Sequence, residues 1–385
     1  MKTYKHLYDN MLNHDVIDAA IEKAAQHKKK RSDVQDVLEH KEDYNKKIYG
    51  MLEKHEYIPK MYQLHRIVEG SNHKIRYIEK PHFKYDQLVQ HVVLTQLKPI
   101  VMKGMYEHAH GAIENRGPLQ TAKVISKWLR NDKSGTRYCL QMDVHHCYPS
   151  INQEILIAKW HRVIKDDEFN KLNDAIIRSC RKGLALGAPT SQWHEHFLFQ
   201  DFDHWVPTLD GVSHYIRHVD DIIVFSSNKR KLRKVRDMII QRLHDELELE
   251  MNHNHQVFAI EWTDKNGNKH GRPLDVCGYL FYRNKRILRK SRMLGITRKA
   301  NKIGKKEKPT FYDCEQMISQ MGWLKHSDSY DMYLEYIKPK VTKRQMTHTI
   351  SRVQKKKNKE AKERSENHGI QVNSKLLGDQ AVGSG

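Results

Sequence analysis

Residues 215–225, YIRHVDDIIVF, decide the fold of this chain. Apolar, β-prone residues stand on both sides of two adjacent carboxylates, Asp220 and Asp221, which predicts two strands joined by a tight turn. Burying two carboxylates among apolar side chains is costly unless a cation compensates them. The stretch therefore predicts either a hairpin tip that gathers divalent metal ions or an ordinary Asp-Asp turn on a surface hairpin.

A third aspartate, Asp143, favours the metal-binding interpretation. It lies in an apolar run, Gln141 to Val144, that predicts another strand. If the two strands are neighbours, Asp143 meets Asp220, and hard carboxylate oxygens can hold two Mg²⁺ ions roughly 3.5 to 4 Å apart. Such a pair stabilises both the attacking 3′-oxygen and the leaving pyrophosphate of a nucleotidyl transfer. The alternative is that Asp143 only caps the turn that follows.

The composition is typical of a protein that binds phosphates. Lysine and arginine number 68 against 47 acidic residues, which gives a formal net charge of +21. This charge indicates a nucleic-acid partner, although a ribosome-associated or membrane-surface protein would share it. The 385 residues are enough for one large core or two moderate ones.

The five cysteines are scattered and form no CxxC pair, so neither a zinc module nor a disulfide scaffold is indicated. A reducing cytoplasm fits this pattern. The N-terminal residues contain no apolar signal segment, and no window has the uninterrupted apolar length of a membrane span. We therefore expect a cytoplasmic protein without a membrane partner.

The pattern along the chain predicts four regions. Residues 1–58 are charged with apolar residues at helical spacing, which predicts an N-terminal extension of two or three surface helices. Residues 59–290 mix β-prone runs with helices, and residues 291–350 predict a basic helical domain. Residues 351–385 are basic and lose their apolar residues, so we expect this tail to be disordered.

Two segments resemble motifs of the reverse transcriptase family. Residues 143–151, DVHHCYPSI, are similar to the first palm motif of that family, and residues 218–221, HVDD, to its YxDD hairpin, with His218 at the usual tyrosine position. The resemblance implies an α+β, right-hand polymerase fold with fingers, a palm of antiparallel sheet flanked by helices, and a helical thumb. The palm and fingers would occupy residues 59–290 and the thumb residues 291–350.

The resemblance also implies the active-site residues of an RNA-directed DNA polymerase. Its catalytic residues would be Asp143, Asp220 and Asp221. Its metal ligands would be these three residues and Val144, and they would bind two Mg²⁺ ions, for which Mn²⁺ can substitute.

A nucleotide-binding set follows from the same resemblance. Tyr148 would lie beneath the sugar of the incoming dNTP and exclude a 2′-hydroxyl by shape. Lys74 and Arg76 are two apart on a predicted strand, so both can reach the same triphosphate from one face. The alternatives are a core aromatic for Tyr148 and a solvated basic hairpin for the other two residues.

Residues 183–192, GLALGAPTSQ, resemble the enzymes of diversity-generating retroelements. Most reverse transcriptases carry glutamine at the position of Leu186 and proline at the position of Gln192, which here follows Ser191. In that subfamily the aliphatic residue is associated with error-prone copying opposite template adenines. Gly187 would let the backbone approach the nascent base pair. The nucleotide-binding set is completed by Leu186, Gly187, Ser191 and Gln192. The alternative for Leu186 is simple packing.

A later segment, residues 276–291, is similar to the primer-grip hairpin and the start of the thumb. Gly278 would permit a close strand approach, and Arg289 and Lys290 would face phosphates of the nucleic acid. His253 and His255 stand where many relatives place a lysine that protonates pyrophosphate, and histidine can donate a proton near neutral pH. Exposed loop histidines are the alternative.

Three hypotheses describe the function. The first is an error-prone retroelement polymerase, bacterial or phage-encoded, whose partners are template RNA, the cDNA/RNA hybrid, dNTPs and a small basic accessory protein that is oligomeric. The second is an antiphage defence enzyme or another retron-like or group II intron-like reverse transcriptase. The third is a non-enzymatic RNA-binding module. Retention of three aspartates argues against the third, because without metals their cluster is an uncompensated repulsion.

Overall fold

The computed structural model describes residues 3–69, 74–356 and 358–359. They belong to two compact units, the first ending at Leu274 and the second beginning at Asp275. The helices of the first unit are α1 (Leu7–Met11), α2 (His14–Ala25), α3 (Ser32–Glu39), α4 (Lys41–Glu53), α5 (Leu88–Gly104), α6 (Pro118–Asn131), α7 (Cys147–Ser150), α8 (Gln153–Val163), α9 (Asp167–Arg178), α10 (Ser191–Trp205) and α11 (Lys229–Leu247).

Four N-terminal helices, rather than the predicted two or three, precede the first strand. They are not only surface helices, since Ile17 and Ile21 on α2 are fully buried. Helix α2 packs against α5, and α1 contacts both α5 and α9. The N-terminal helices therefore belong to the core of the first unit.

The central sheet of the first unit has five strands in the order β3-β5-β6-β4-β7. Their bounds are β3 (Ala109–His110), β4 (Tyr138–Asp143), β5 (His214–His218), β6 (Asp221–Ser226) and β7 (Gln256–Ala259). Strands β4, β5, β6 and β7 pair antiparallel, and β3 joins β5 in parallel. All residues of β6 after Asp221 are buried, as expected for a central strand.

Helices cover this sheet and fix its position. Helix α11 packs on β4, β6 and β7, and α6 packs on β3 and β5. The buried residues of α11 recur at three- or four-residue spacing, so one stripe of the helix faces the strands. The Asn228 side chain accepts hydrogen bonds from the amides of Arg230 and Lys231 and so caps the start of α11.

Two short two-stranded sheets complete the strands of the first unit. One is the hairpin of β1 (Gln63–Glu69) and β2 (Lys74–Lys80), and the other pairs β8 (Trp262–Thr263) with β9 (Lys269–His270). An irregular turn at Phe83–Gln87 connects β2 to α5, and a short 3₁₀ turn at Val206–Thr208 follows α10.

The second unit combines a small sheet with helices. Strand β10 (Leu274–Val276), which begins at the unit boundary, pairs in the order β10-β11-β12 with β11 (Tyr279–Phe281) and β12 (Arg286–Leu288). The helices are α12 (Lys290–Gly304), α13 (Phe311–Lys325) and α14 (Tyr330–Tyr336), and residues 343–356 are also helical. Most of the tail predicted to be disordered, residues 360–385, lies outside the described residues. The predicted domain boundaries remain predictions.

None of the helices in the described part of the chain combines the length and the apolar character that crossing a membrane requires.

Candidate active site

The turn between β5 and β6 brings the predicted acidic residues together. Only Val219 and Asp220 separate the two strands, and β6 pairs with β4 so that Asp221 lies opposite Asp143. The amide of Val144 donates a 3.2 Å hydrogen bond to the carbonyl of Asp220. The strands are therefore neighbours, as predicted, and all three aspartates lie at one end of the sheet.

Asp220 shows the electrostatic effect of this arrangement. Burial raises the pKa of its carboxyl to about 6, and the neighbouring Asp143 carboxylate adds to the increase. Two carboxylates this close repel each other when both are ionised, so a shared proton or a cation stabilises the pair. The site therefore favours binding of a positive charge between Asp143 and Asp220.

Hard oxygen donors of this kind suit Mg²⁺ or Mn²⁺. In the described residues, no group of three or more histidine, cysteine, aspartate or glutamate side chains could by itself hold a metal ion. Mg²⁺ is, however, commonly bound by one or two carboxylates together with water and substrate phosphates. The residues present fit such a site, because in the described part of the chain no cationic side chain offsets the raised pKa of Asp220.

Asn252 is a site residue that the sequence did not reveal. Its side-chain amide donates to Oδ2 of Asp143, and its main-chain amide donates a 2.8 Å hydrogen bond to the Asp143 carbonyl. These contacts fix the orientation of the carboxylate. An asparagine in an irregular segment carries no pattern of its own, so only the fold could show this role.

His218 is held within the first unit rather than left at a free hairpin surface. Its Nδ1 lies 2.9 Å from Oγ1 of Thr121, and the same hydroxyl lies 3.0 Å from Nδ1 of His110. Burial lowers the pKa of His218 to about 4 and that of His110 to about 3. Both rings are therefore neutral at physiological pH, and Thr121 can donate its proton to only one of them.

Tyr148 lies beside the loop that contains Gly183. The Tyr148 carbonyl accepts a 2.8 Å hydrogen bond from the amide of Leu184, and its side chain is half-buried against the core. A Cβ at Gly183 would come within 2.2 Å of the Tyr148 carbonyl oxygen. Gly183, with φ of +60°, therefore permits this close approach.

Leu186 and Gly187 have different environments. The Leu186 side chain is 48% exposed, so simple core packing does not explain it. Gly187 approaches β2, because its amide donates a 3.2 Å hydrogen bond to the Glu79 carbonyl and a Cβ there would come within 2.3 Å of Cγ of Lys80. The glycine thus joins the loop to the end of the β1–β2 hairpin.

The other predicted nucleotide-binding residues lie on two elements, α10 and β2. Ser191 begins α10 and is buried, whereas Gln192 is half-buried. The backbones of Lys74 and Arg76 lie in β2, opposite Glu69 and Ile67, and their side chains lie outside the described part of the chain. The structure therefore places Lys74 and Arg76 on the strand to which the Gly187 loop is bonded.

The predicted nucleic-acid-binding residues belong to the second unit. Gly278 has φ of +80°, and a Cβ there would come within 2.7 Å of Nε of Arg292. The Gly278 carbonyl accepts a 3.0 Å hydrogen bond from the amide of Arg289, whose guanidinium pairs with Asp275. Lys290 is exposed at the first residue of α12. Arg289 would therefore have to share its charge between Asp275 and a phosphate.

The two candidate proton donors lie next to Asn252. His253 is exposed, and Nδ1 of the half-buried His255 lies 3.1 Å from the Asn252 carbonyl. Because a carbonyl only accepts, Nδ1 of His255 carries the proton in this contact. Both histidines follow the residue that binds Asp143.

The family model described as "Reverse transcriptase (RNA-dependent DNA polymerase)" matches residues 58–307, more than half of the chain. The chain belongs to the reverse transcriptase family. This match confirms the predicted α+β, right-hand polymerase fold class and the prediction of an RNA-directed DNA polymerase domain. No curated protein sequence matches the chain.

Several solved telomerase structures are similar to this reverse transcriptase. Telomerase from Candida albicans in complex with a TWJ fragment of telomeric RNA has a TM-score of 0.45 and 10% identity, over 73% of this chain and 57% of that one. Apo telomerase from Candida tropicalis has a TM-score of 0.44 and 15% identity, over 68% of this chain and 53% of that one. The chain thus spans just over half the length of these telomerases.

Proposed function

We propose that this reverse transcriptase makes cDNA from a template RNA at the end of the central sheet. The observation that carries the proposal is the pairing of β4 with β6, which sets Asp143 opposite Asp221 and beside Asp220. The substrates are dNTPs, and the partners are the template RNA and the cDNA/RNA hybrid. The net charge of +21 supports a polyanionic partner.

The chain's own residues have distinct tasks in this proposal. Asp143, Asp220 and Asp221 would hold two Mg²⁺ ions, or Mn²⁺ in their place, and the apolar Val144 could contribute only its main-chain carbonyl. When bound, the ions supply Lewis-acid stabilisation of the attacking and leaving oxygens. Asn252 orients the Asp143 carboxylate through its side-chain amide.

The nucleotide contacts extend from the aspartates to the β1–β2 hairpin. Tyr148 would lie beneath the sugar and exclude a 2′-hydroxyl, and Lys74 and Arg76 would bind the triphosphate. The hydrogen bond from Gly187 to Glu79 supports this assignment, because it connects the loop that carries Leu186 to the strand that carries both basic residues. Ser191 and Gln192 would support the loop from the start of α10.

Asp220→Asn tests the polymerase assignment. The substitution keeps the size of the side chain but removes its charge, so primer extension on an RNA template with Mg²⁺ should fall at least about 100-fold. Binding of the RNA should be largely retained. Asp210→Asn is the matched control, since Asp210 is exposed and forms a surface ion pair with Lys231. Equal synthesis by the Asp220→Asn variant and wild type would overturn the assignment.

We further propose that the enzyme copies adenines with errors, as part of a diversity-generating retroelement. The exposure of Leu186 supports this role, because a side chain that is not needed for packing can contact template or nucleotide. The small basic, oligomeric accessory protein and the bacterial or phage-encoded, cytoplasmic setting belong to the same proposal. None of the five cysteines forms a disulfide, which fits a reducing compartment.

Leu186→Gln tests the error-prone subgroup. An added neutral hydrogen bond is worth about 1 kcal/mol, so misincorporation opposite template adenine should fall about fivefold. Sequencing of the cDNA measures this change, and errors opposite the other three bases serve as the internal control. An unchanged spectrum would instead favour the antiphage defence or other retron-like or group II intron-like alternatives, which share the aspartates.

A further inference from the structure

A buried ionic cluster lies directly behind the turn that carries Asp220. Its centre is Arg217 on β5, which has no exposed surface, and its carboxylates are Glu195 and Asp203 on α10, which are buried to the same degree. A buried arginine is tolerated only when its charge is compensated and its donors are bonded. Two buried carboxylates therefore compensate the charge of Arg217 at a position next to the catalytic aspartates.

All five N–H donors of the Arg217 guanidinium have partners in the described structure. Nε and Nη2 donate to the two oxygens of Asp203 at 2.8 and 2.7 Å. Nη1 donates to Oε1 of Glu195 and, at 2.9 Å, to the carbonyl of Val219, and Nη2 contacts Nδ1 of His196 at 3.4 Å. The planar fork therefore has one fixed orientation, and one of its donors reaches the turn.

The backbone of Val219 is strained, and hydrogen bonds hold it in place. Its φ is +58°, a left-handed conformation that is costly for a β-branched residue. Its carbonyl is held by Arg217, and its amide donates a 2.9 Å hydrogen bond to the His110 carbonyl. Its side chain fills the space beside Gly111, where a Cβ would come within 2.3 Å of Val219 Cγ2. The peptide groups on both sides of Val219 are thus fixed, and the next residue is Asp220.

The same cluster also holds the loop that faces Val219. Nε2 of His196 lies 2.8 Å from the Gly111 carbonyl, which only accepts, so this nitrogen carries the proton. Nδ1 is then the acceptor for Arg217. One guanidinium thereby connects α10, the turn between β5 and β6, and the loop at Gly111.

We propose that Arg217, held by the buried carboxylates Glu195 and Asp203, is the positioning residue of the catalytic turn. It acts through the Val219 carbonyl to keep Asp220 in the orientation that binds metal. This inference rests on the proposed polymerase function, since it assigns a role in the same site. It predicts that loss of the contact between Arg217 and the Val219 carbonyl changes the response to metal more than it changes the stability of the fold.

Arg217→Lys tests the inference because lysine keeps the charge but not the fork. It can remain paired with Asp203, yet a single ammonium cannot also hold Glu195 and Val219 in the same geometry. The Mg²⁺ concentration for half-maximal primer extension should rise about 10- to 100-fold, the usual effect of losing a residue that orients a metal ligand. Glu195→Gln, which keeps an acceptor for Nη1, should give a smaller rise in the same direction.

Tyr215→Phe is the matched control beside the cluster, since Tyr215 lies on the same strand as Arg217 but does not contact Val219. It removes the 2.6 Å hydrogen bond from the tyrosine hydroxyl to Asp203 without touching the contact between Arg217 and Val219. We expect Tyr215→Phe to lower stability in urea unfolding but to leave the Mg²⁺ dependence unchanged. If Arg217→Lys does not fold, Glu195→Gln provides the comparison.

The inference is overturned if the foldable cluster variants show the same Mg²⁺ dependence as Tyr215→Phe. The Asp220→Asn variant separates this outcome from failure of the polymerase proposal. Should Asp220→Asn abolish synthesis while the cluster variants behave like the control, only the positioning role is wrong. Should Asp220→Asn remain active, the polymerase proposal itself is wrong.

Discussion

At the scale of single residues, Asn252 lies outside the sequence motifs, and the fold brings it into contact with Asp143. Both its side-chain amide and its main-chain amide bond to Asp143, so it restrains the carboxylate at two points. Loss of a residue that orients a metal ligand typically lowers metal affinity or activity about 10- to 100-fold. We therefore expect Asn252→Ala to lower the rate of primer extension by about 10- to 100-fold.

Asn254→Ala is the control for that measurement. Asn254 is exposed and lies two residues further along the same segment. Its substitution should leave the rate within about twofold of wild type, as expected for a surface change. Equal rates for the two variants would show that Asp143 does not depend on Asn252.

The sequence predicted the three aspartates but not the residues that hold them. Adjacent carboxylates among apolar residues are a local signal, so Asp220 and Asp221 could be recognised from one short stretch. Arg217 stands in the same stretch, yet its partners Glu195 and Asp203 lie on a helix earlier in the chain. Since pairing between distant residues leaves no trace in periodicity, only the structure reveals the cluster.

At the scale of elements, the loop between β3 and α6 supports the catalytic turn. Gly111 has φ of +109°, and a Cβ there would come within 2.3 Å of Val219 Cγ2. Gly111→Ala should therefore push Val219 away and destabilise the fold by about 1–3 kcal/mol, the usual cost of overpacking. Primer extension should fall as well, because the displaced turn carries Asp220.

Gly117→Ala is the matched control in the same loop. A Cβ at Gly117 has no atom within 4 Å, and its φ is −79°, so alanine fits there. Urea unfolding of the two variants measures the difference. If both variants are as stable and as active as wild type, the loop does not support the turn.

Three strands of the central sheet, β4, β5 and β6, could be predicted, whereas the N-terminal helices were described incompletely. The predicted strand-turn-strand unit corresponds to β5 and β6, and the run before Asp143 corresponds to β4, because their apolar runs are short and bounded by polar residues. The charged N-terminal segment indicated surface helices. Its buried face on α2 packs against α5, and a partner so far along the chain cannot be inferred from helical spacing alone.

At the scale of the whole molecule, buried histidines set the response to acid. Burial lowers the pKa of His91, His110 and His194 to about 3 and that of His196 to about 4, against an ordinary value of 6.5. The unfolded chain therefore binds more protons than the folded chain as the pH falls below about 6.5. Each of these histidines should lower the free energy of unfolding by about 1 kcal/mol for every pH unit below about 6.5.

Urea unfolding at pH 7.5 and 5.5 checks this expectation. The free energy of unfolding should be lower at pH 5.5, and His194→Gln should reduce the difference by the contribution of one proton. Glu195 acts in the opposite direction, because burial raises its pKa to about 7 and its ionisation destabilises the fold as the pH rises. A stability that does not change over this range would contradict burial of the neutral rings.

The central claim is that Asp143 and Asp220 share a divalent cation, and thermal unfolding with Mn²⁺ tests it without relying on synthesis. A ligand that binds only the folded state raises the midpoint temperature of unfolding, so Mn²⁺ should raise this temperature for the wild-type protein. Asp143→Asn and Asp220→Asn should each lose most of that stabilisation, and the double variant should lose little more than either single variant. Full retention of the Mn²⁺ effect in both single variants would contradict the account.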